Sequence, residues 1–389
     1  LAALRDDPPA APERATTLAH LADARRYSDP PRALAYLDEA RFHVAASGDR
    51  ALEAIVLWSR ARIRGFLGEV TLEDLREALE AYHSLESSDR DRIHAIGGRL
   101  GSGQGPFAQW LAHHGVYRDA IEVGLGALSA ASGTPGARSD NDSGHARLGL
   151  ALAWAGAGRP TDARAAFEDA RRSFLAAGNR FMAAAALKWQ IIELTLTWDA
   201  GDLAGREALL AEYDRIWWED RKARGDPGGR RHLPLFPPLI VAGRWSEARQ
   251  AAESYLSDSY LRVDCLAALA ELDWSQGRTE DAWRRVTTGL PAGPATESST
   301  PFFVRSLALI RVAVALALDD GNLDLARAWL AAHERWLKSS GRVLDRPAAE
   351  VLVARLHELA GDLDAAREHA AAAIALASGP CQPLALAGA

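Results

Sequence analysis

The chain has 389 residues, 48% of them apolar and 25% charged, with a formal net charge of −7. Acids and bases are interspersed, which excludes the basic stripe that a nucleic-acid backbone requires, and the length allows two or three ordinary domains with a large core. Two distant cysteines, Cys265 and Cys381, exclude a disulfide framework or a cysteine metal site, and no apolar run reaches the roughly 18 residues of a membrane span.

No signal peptide is legible and a reducing cytoplasm is the expected compartment. The first residue is Leu1 rather than Met, so the chain reads as a piece of a longer protein.

From the N-terminus, helical patterning covers Arg14–Tyr27 and is broken at Asp29-Pro30-Pro31. A second helix is predicted over Ala33–Ser47, a third over Ala51–Phe66, and a fourth over Leu72–Leu85 behind Thr71 as its cap. Gly97–Pro106 (GGRLGSGQGP) reads as a glycine-rich linker between an N-terminal part, residues 1–96, and a repeat array, residues 107–389, continuous with it. Helices follow at Phe107–His114 and Tyr117–Ala131. Ser132–Gly144, rich in Gly, Ser, Asn and Asp, reads as a loop. His145–Gly156, Thr161–Ala177, Arg180–Trp198 and Leu203–Asp220 continue the series, and a third loop is predicted at Ala223–Arg231. Beyond a proline-compressed stretch at Leu233–Val241 come Ser246–Leu256, Tyr260–Gln276 and Glu280–Gly289, then a loop at Pro291–Pro301. Phe302–Leu318, Leu323–Ser339, Ala348–Ala360 and Asp364–Ala377 complete the series. No strand-like alternation appears, so the expected class is all-α.

One phrase recurs through this series: Gly, four residues, then Ala. It stands at Gly115–Ala120, Gly158–Ala163, Gly243–Ala248, Gly277–Ala282, Gly321–Ala326 and Gly361–Ala366, with a degraded copy at Gly201, where Arg206 replaces the Ala, and a worn one at Gly68. Successive glycines from Gly115 lie 43, 43, 42, 34, 44 and 40 residues apart, a period that marks a solenoid. The Gly closes one helix in the left-handed conformation. Ser246, Thr279, Asp324 or Asp364 is placed to cap the next, and the Ala lets the two helices cross closely. Such a pair cannot bury both faces alone and must stack on its neighbours.

These features resemble the tetratricopeptide repeat family, most closely where Leu150, Ala151 and Trp154 precede Gly158 and Ala163, Phe167 and Ala170 follow it. The resemblance implies a right-handed superhelix of antiparallel helix pairs. The alanine-rich style of stretches such as Ala360–Ala387 is similar to the helical-repeat region of large bacterial ATPase regulators of the maltose-activator type with a LuxR-type DNA-binding end. That resemblance implies a non-catalytic module that receives an inducer or a partner protein. The chain carries no phosphate-binding G-x-x-x-x-G-K-[ST] motif of its own and no basic recognition helix.

No catalytic constellation is visible. His113 and His114 are adjacent on one helix and do not converge, the other histidines are scattered, and G-x-S-x-G is absent. No metal or cofactor site is expected. Most of the twelve tryptophans read as fillers between helices, the rest as groove residues. In the repeat family the concave groove is lined from the first helix of each pair, and the resemblance then selects Trp58, Arg62, Gln109, His113, Lys188, Trp198, Asp264, Glu271, Trp274, Arg311 and Arg355. It also touches Thr195, Asp199 and Glu358. The expected occupant is a protein, a peptide or a small-molecule inducer, with no direct nucleic-acid or membrane binding. The alternative is a scaffold for self-association or docking with no small ligand.

Overall fold

The computed structural model describes residues 11–26, 28–67, 69–90, 92–93, 104–131, 136–224, 235–258, 261–298, 303–379 and 381–388. Among these residues the chain is all-helical; extended pairing is limited to one isolated bridge between Ser378 and Cys381. The helices come in pairs: α1 (Ala11–Arg25) with α2 (Pro30–Ser47), α3 (Arg50–Leu67) with α4 (Leu72–His83), α5 (Gln104–His113) with α6 (Tyr117–Ala131), and α7 (Ala137–Gly156) with α8 (Pro160–Ala176). Then follow α9 (Arg180–Gln190) with α10 (Leu203–Arg224), α11 (Phe236–Val241) with α12 (Trp245–Tyr255), and α13 (Arg262–Ser275) with α14 (Thr279–Gly289). The last pairs are α15 (Phe303–Asp319) with α16 (Leu323–Ser340) and α17 (Arg346–Leu359) with α18 (Leu363–Ser378), ahead of the short α19 (Pro383–Gly388). A π-helical turn at Ile191–Thr195 carries α9 on to Trp198. No described helix is long and apolar enough to cross a membrane.

The recurring glycines do what their spacing predicts. Gly115, Gly158, Gly243, Gly277, Gly321 and Gly361 all take positive φ, between 68° and 82°. The residue after each donates its N–H to a carbonyl five residues back, as Arg159 does to Trp154 at 2.8 Å and Asn322 to Ala317 at 2.8 Å. Gly201, the degraded copy, is not left-handed. Of the alanines, Ala120, Ala163, Ala248, Ala282 and Ala326 are fully buried, whereas Ala366 is half-buried.

The caps differ from the sequence expectation. The second helix begins at once after the turn, so Ser246, Thr279, Asp324 and Asp364 already lie inside it, and the residue after the Gly is the cap: Asn322 accepts from Leu325 N–H and Asp362 from Ala365 N–H, both at 3.1 Å. The connection is only three residues long, residues 320–322 between α15 and α16, because its last residue serves the end of one helix and the start of the next.

Two expected irregular stretches are helical. Gln104, Gly105 and Pro106 form the buried first turn of α5; the rest of the proposed linker lies largely outside the described residues. Residues 137–144, read as loop, are the first two turns of α7. Their small polar residues permit close approach: Gly105 N–H donates to the Asp142 carboxylate at 3.3 Å, Asn179 donates to Asn141 at 2.8 Å, and Gly144 lies against the Phe174 ring. The loop at Ala223–Arg231 falls mostly outside the described residues, and α11 begins only at Phe236, since its prolines allow just a short helix. The loop from Pro291 contains a short 3₁₀ turn, Gly293–Ala295.

Bonds at roughly one repeat period tie each pair to the next. Arg41 donates to Glu77, Arg171 to Glu212 and Trp336 Nε1 to the Thr296 carbonyl, at 2.6, 2.9 and 3.2 Å. The first helices α5, α9 and α15 are buried on nearly every face, whereas the second helices α8, α14 and α16 bury one stripe. Distant pairs also meet. Phe303 packs under Gly115, Val343 N–H donates to the Gly156 carbonyl at 2.8 Å, and Arg342 donates to Tyr117 and Glu193, each at 2.8 Å.

Candidate functional site

Burial on both sides makes the polar residues of the first helices informative, because a buried polar group is costly unless something satisfies it. Arg62 lies on α3, His113 on α5, Lys188 on α9, Glu193 on its π turn, Asp264 on α13 and Arg305 on α15, and all are buried. They fall into three clusters.

In the first, Arg62 donates to Asp23 at 3.0 Å and lies over the Trp58 ring. In the second, the Gln109 amide bridges two histidines, with His113 Nε2 at 3.2 Å from its nitrogen and His145 Nδ1 at 2.6 Å from its oxygen. The amide can donate to one ring and accept from the other only if His113 Nε2 carries no proton and His145 Nδ1 does. Burial pushes the pKa of each down to about 3, helped at His113 by His114, Lys188 and Arg305, and at His145 by Arg62 and Arg26.

The third cluster surrounds Trp189. The His113 ring lies 4.8 Å from it, Lys188 Nζ 5.3 Å and Arg305 Cζ 5.6 Å. Arg305 is ion-paired with Asp264. Burial lowers the Lys188 pKa, and Asp264 opposes that shift. Two helical turns along α13, Glu271 keeps its solvent exposure although protein crowds around it. That crowding raises its carboxyl pKa against the pull of Arg311 and Arg305. Arg311 pairs with Asp345, which also pairs with Arg342. Burial works against both of these charges, but Asp345 is held well below the usual carboxylate range by Arg342 and Arg311, and Arg342 well above its usual value by Glu193, Tyr117 and Asp345.

Of the residues selected from the sequence, Gln109, His113, Lys188, Asp264, Glu271 and Arg311 thus belong to this connected interior. Arg62 belongs to the first cluster with Asp23 and Trp58, and the remaining four lie apart or play a structural part. Trp58 is buried against Phe107 and Trp110, at 4.8 and 6.2 Å between ring centroids. Trp198 is buried in the core and so is not a wall of an open groove. Trp274 is half-buried, donating to Asp319 at 2.7 Å, and Arg355 pairs with that same Asp319. Thr195 is buried on the π turn, and Asp199 pairs with Arg164.

Sequence reasoning missed Trp189, Arg305, Glu193, Arg342 and Asp345. Arg342 and Asp345 stand in the loop between α16 and α17, where no repeat register applies. It also missed His83, Asp119 and Glu122, on the outer faces of α4 and α6, whose ligand atoms lie within 4.8 Å of one another. There each histidine nitrogen already faces a carboxylate, at 3.6 and 3.4 Å. A small apolar recess is lined by Ala54, Ile55, Trp58, Tyr82, Ile93, Gln104 and Phe107.

No family model matches the chain, and no curated protein does. Among solved structures, the tetratricopeptide-repeat domain of P58(IPK) is similar at 12% identity over 94% of this chain and 98% of that one, with a TM-score of 0.23.

Proposed function

We propose that the chain is a non-catalytic binding module whose helix pairs wind into a right-handed superhelix, with the first helices inside. The interior would receive a protein, a peptide or a small-molecule inducer, and occupancy would bias the curvature of the stack. In this reading the module belongs to a bacterial signalling or transcription regulator of the LuxR-type ATPase class and works in the cytoplasm. The repeat style supports that placement, as do two free thiols, Cys265 buried and Cys381 exposed.

The observation that carries the binding reading is the concentration of charge on the inward first helices, above all Glu271, which keeps contact with solvent where protein surrounds it. Its charge is available to an occupant, and among the described residues it takes part in no hydrogen bond or ion pair of the fold. The test is a screen of peptides and metabolites by titration calorimetry against the wild-type chain and Glu271→Lys. Binders are expected to lose at least about tenfold in affinity to the variant, while its circular dichroism stays unchanged. Binders indifferent to the substitution would overturn the reading.

The self-association alternative has its own support. Leu359, Leu363, Ile374, Leu376 and Leu384 are exposed on the last helices, a collection of apolar side chains that suits a protein contact. Under that reading Glu271→Lys changes nothing, and the assembly dissociates on dilution.

A further inference from the structure

The cluster around Trp189 contains two cations whose bonding capacity is not used up. Lys188 is 3% exposed, yet among the described residues nothing forms a hydrogen bond or ion pair with its ammonium group. Its neighbours are the Trp189 ring, Arg305, the Asp264 carboxylate and the Cys265 thiol, the last two acting on it only at longer range. Arg305 is 7% exposed. It is paired through Nε with Asp264, but its Nη2 is buried without a hydrogen-bond partner. The Asp264 carboxylate is therefore engaged by Arg305 and reaches Lys188 only at longer range, leaving its ammonium without a bonded counter-ion. Glu271, the next acid along α13, faces Arg311 and Arg305 rather than Lys188.

A buried cation without a counter-ion is strongly unfavourable, and a buried guanidinium nitrogen without an acceptor adds to that. A bound anion would relieve both at once. We propose that Lys188 and Arg305, set around the indole of Trp189, form a binding site for the carboxylate or phosphate group of a small molecule. Lys188 supplies a compact point charge and Arg305 a directional N–H. The indole holds both cations by cation–π attraction and keeps the site partly dry, which strengthens the charge interaction. The low exposure of both side chains makes the opening narrow, which suits a small ion or the end of a small ligand rather than an extended peptide. The neutral His113 contributes an edge without a competing charge.

The inference rests on the binding-module reading in one respect only: the oxyanion would be one end of the interior's occupant. Free ions test the subsite without any partner, so its failure would leave that reading standing. Thermal unfolding of the chain would be followed at constant ionic strength, with chloride replaced by phosphate in one series and by acetate in another.

In at least one series the wild type is expected to gain about 3 °C at a hundredfold excess over the dissociation constant. Phosphate alone or acetate alone giving the shift tells which oxyanion the site prefers. Lys188→Met is expected to lose the shift while melting no lower than wild type in chloride, because it removes an unpaired buried charge. Asp264→Asn, which frees Arg305, is expected to lower the half-saturating concentration several-fold, and this arm stands even if Lys188→Met does not fold. An equal shift in Lys188→Met, no shift in the wild type with either anion, or unchanged affinity in Asp264→Asn would overturn the proposal.

Discussion

Two buried histidines, His113 and His333, and the half-buried His145 make the stability of this protein depend on pH. His113 and His145 have pKa values near 3 and His333 near 4, all lowered first by burial, against about 6.5 in an unfolded chain. Between pH 4 and 6.5 the unfolded chain therefore binds protons that the folded chain refuses. The stability from neutral histidine is complete above pH 6.5 and is lost as pH falls through that window. Three such groups give a slope of up to about 4 kcal/mol per pH unit. Asp345, whose carboxyl pKa is lowered, loses its contribution only below the ordinary carboxylate value, so it does not disturb the range from pH 6.5 to 5. Urea titrations across that range should show this slope, and His333→Leu, which removes a ring with no hydrogen-bond partner on either nitrogen, should reduce it by about a third. A flat profile from pH 6.5 to 5 would mean that these rings are charged in the fold. The sequence placed Gln109 and His113 on an inward face because both positions are counted from a turn glycine whose conformation is forced. It gave no sign that Gln109 fixes the proton positions of two histidines, since His145 arrives from a helix 36 residues away.

Among the helices, the second member of each pair was the easier to read. Its one buried stripe gives a clear 3.6-residue period, as in α8, where Ala163, Ala166, Phe167, Ala170 and Phe174 are buried. The first helices are enclosed on both sides, so their pattern is blurred, and α7 shows how far this goes. Its opening turns carry Ser, Asn, Asp and Gly and resemble a loop, yet these residues are there to let backbones meet. Gly149, farther along the helix, shows the same close approach: a Cβ placed on it would lie 2.7 Å from the Ala108 carbonyl carbon and the Gln109 nitrogen. Both are backbone atoms within α5 and cannot turn aside. Gly149→Ala should destabilise the chain by about 1–3 kcal/mol despite the better helix propensity of alanine. Gly126→Ala, whose new methyl would meet only side-chain atoms at ordinary distances, the Tyr82 hydroxyl at 3.4 Å and Gln104 Oε1 at 3.8 Å, should be neutral or stabilising by about 0.5–1 kcal/mol. Chemical denaturation of the two variants separates the effects, and equal values would show that α5 and α7 are not closely packed. The π turn at Ile191–Thr195 was equally invisible: its extra residue is accommodated in a fully buried stretch and brings Glu193 to Arg342.

At the scale of the whole molecule, the sequence period implies a stack in which each pair touches only its neighbours, and such a stack unfolds piecewise from its weakest interface. This chain adds a tie across the stack. Arg342 joins Tyr117, Glu193 and Asp345, with Glu193 149 residues away and Tyr117 225. Beside it Val343 bonds the end of α7, and Phe303 fills the space under Gly115. Local periodicity cannot reveal such a tie, because Arg342 and Asp345 sit in a loop outside the repeat register. Its energetic role follows from burial: Arg342 and Glu193 are both almost fully enclosed, so removing Arg342 leaves Glu193 as an uncompensated buried charge, destabilising by about 3–5 kcal/mol. That penalty falls on two distant parts of the chain together, so the tie should couple their unfolding. The wild type should then melt in one calorimetric transition, and Arg342→Met in two, as the α5–α9 region and the α15–α18 region lose their shared restraint. Arg342→Met combined with Glu193→Gln removes the stranded charge and should recover much of the lost stability, yet still melt in two steps, because charge balance is restored but the bond is not. If the double variant regained a single transition, coupling would reside in the apolar contacts of Phe303 and Val343, and the polar tie would be only a local feature of the loop.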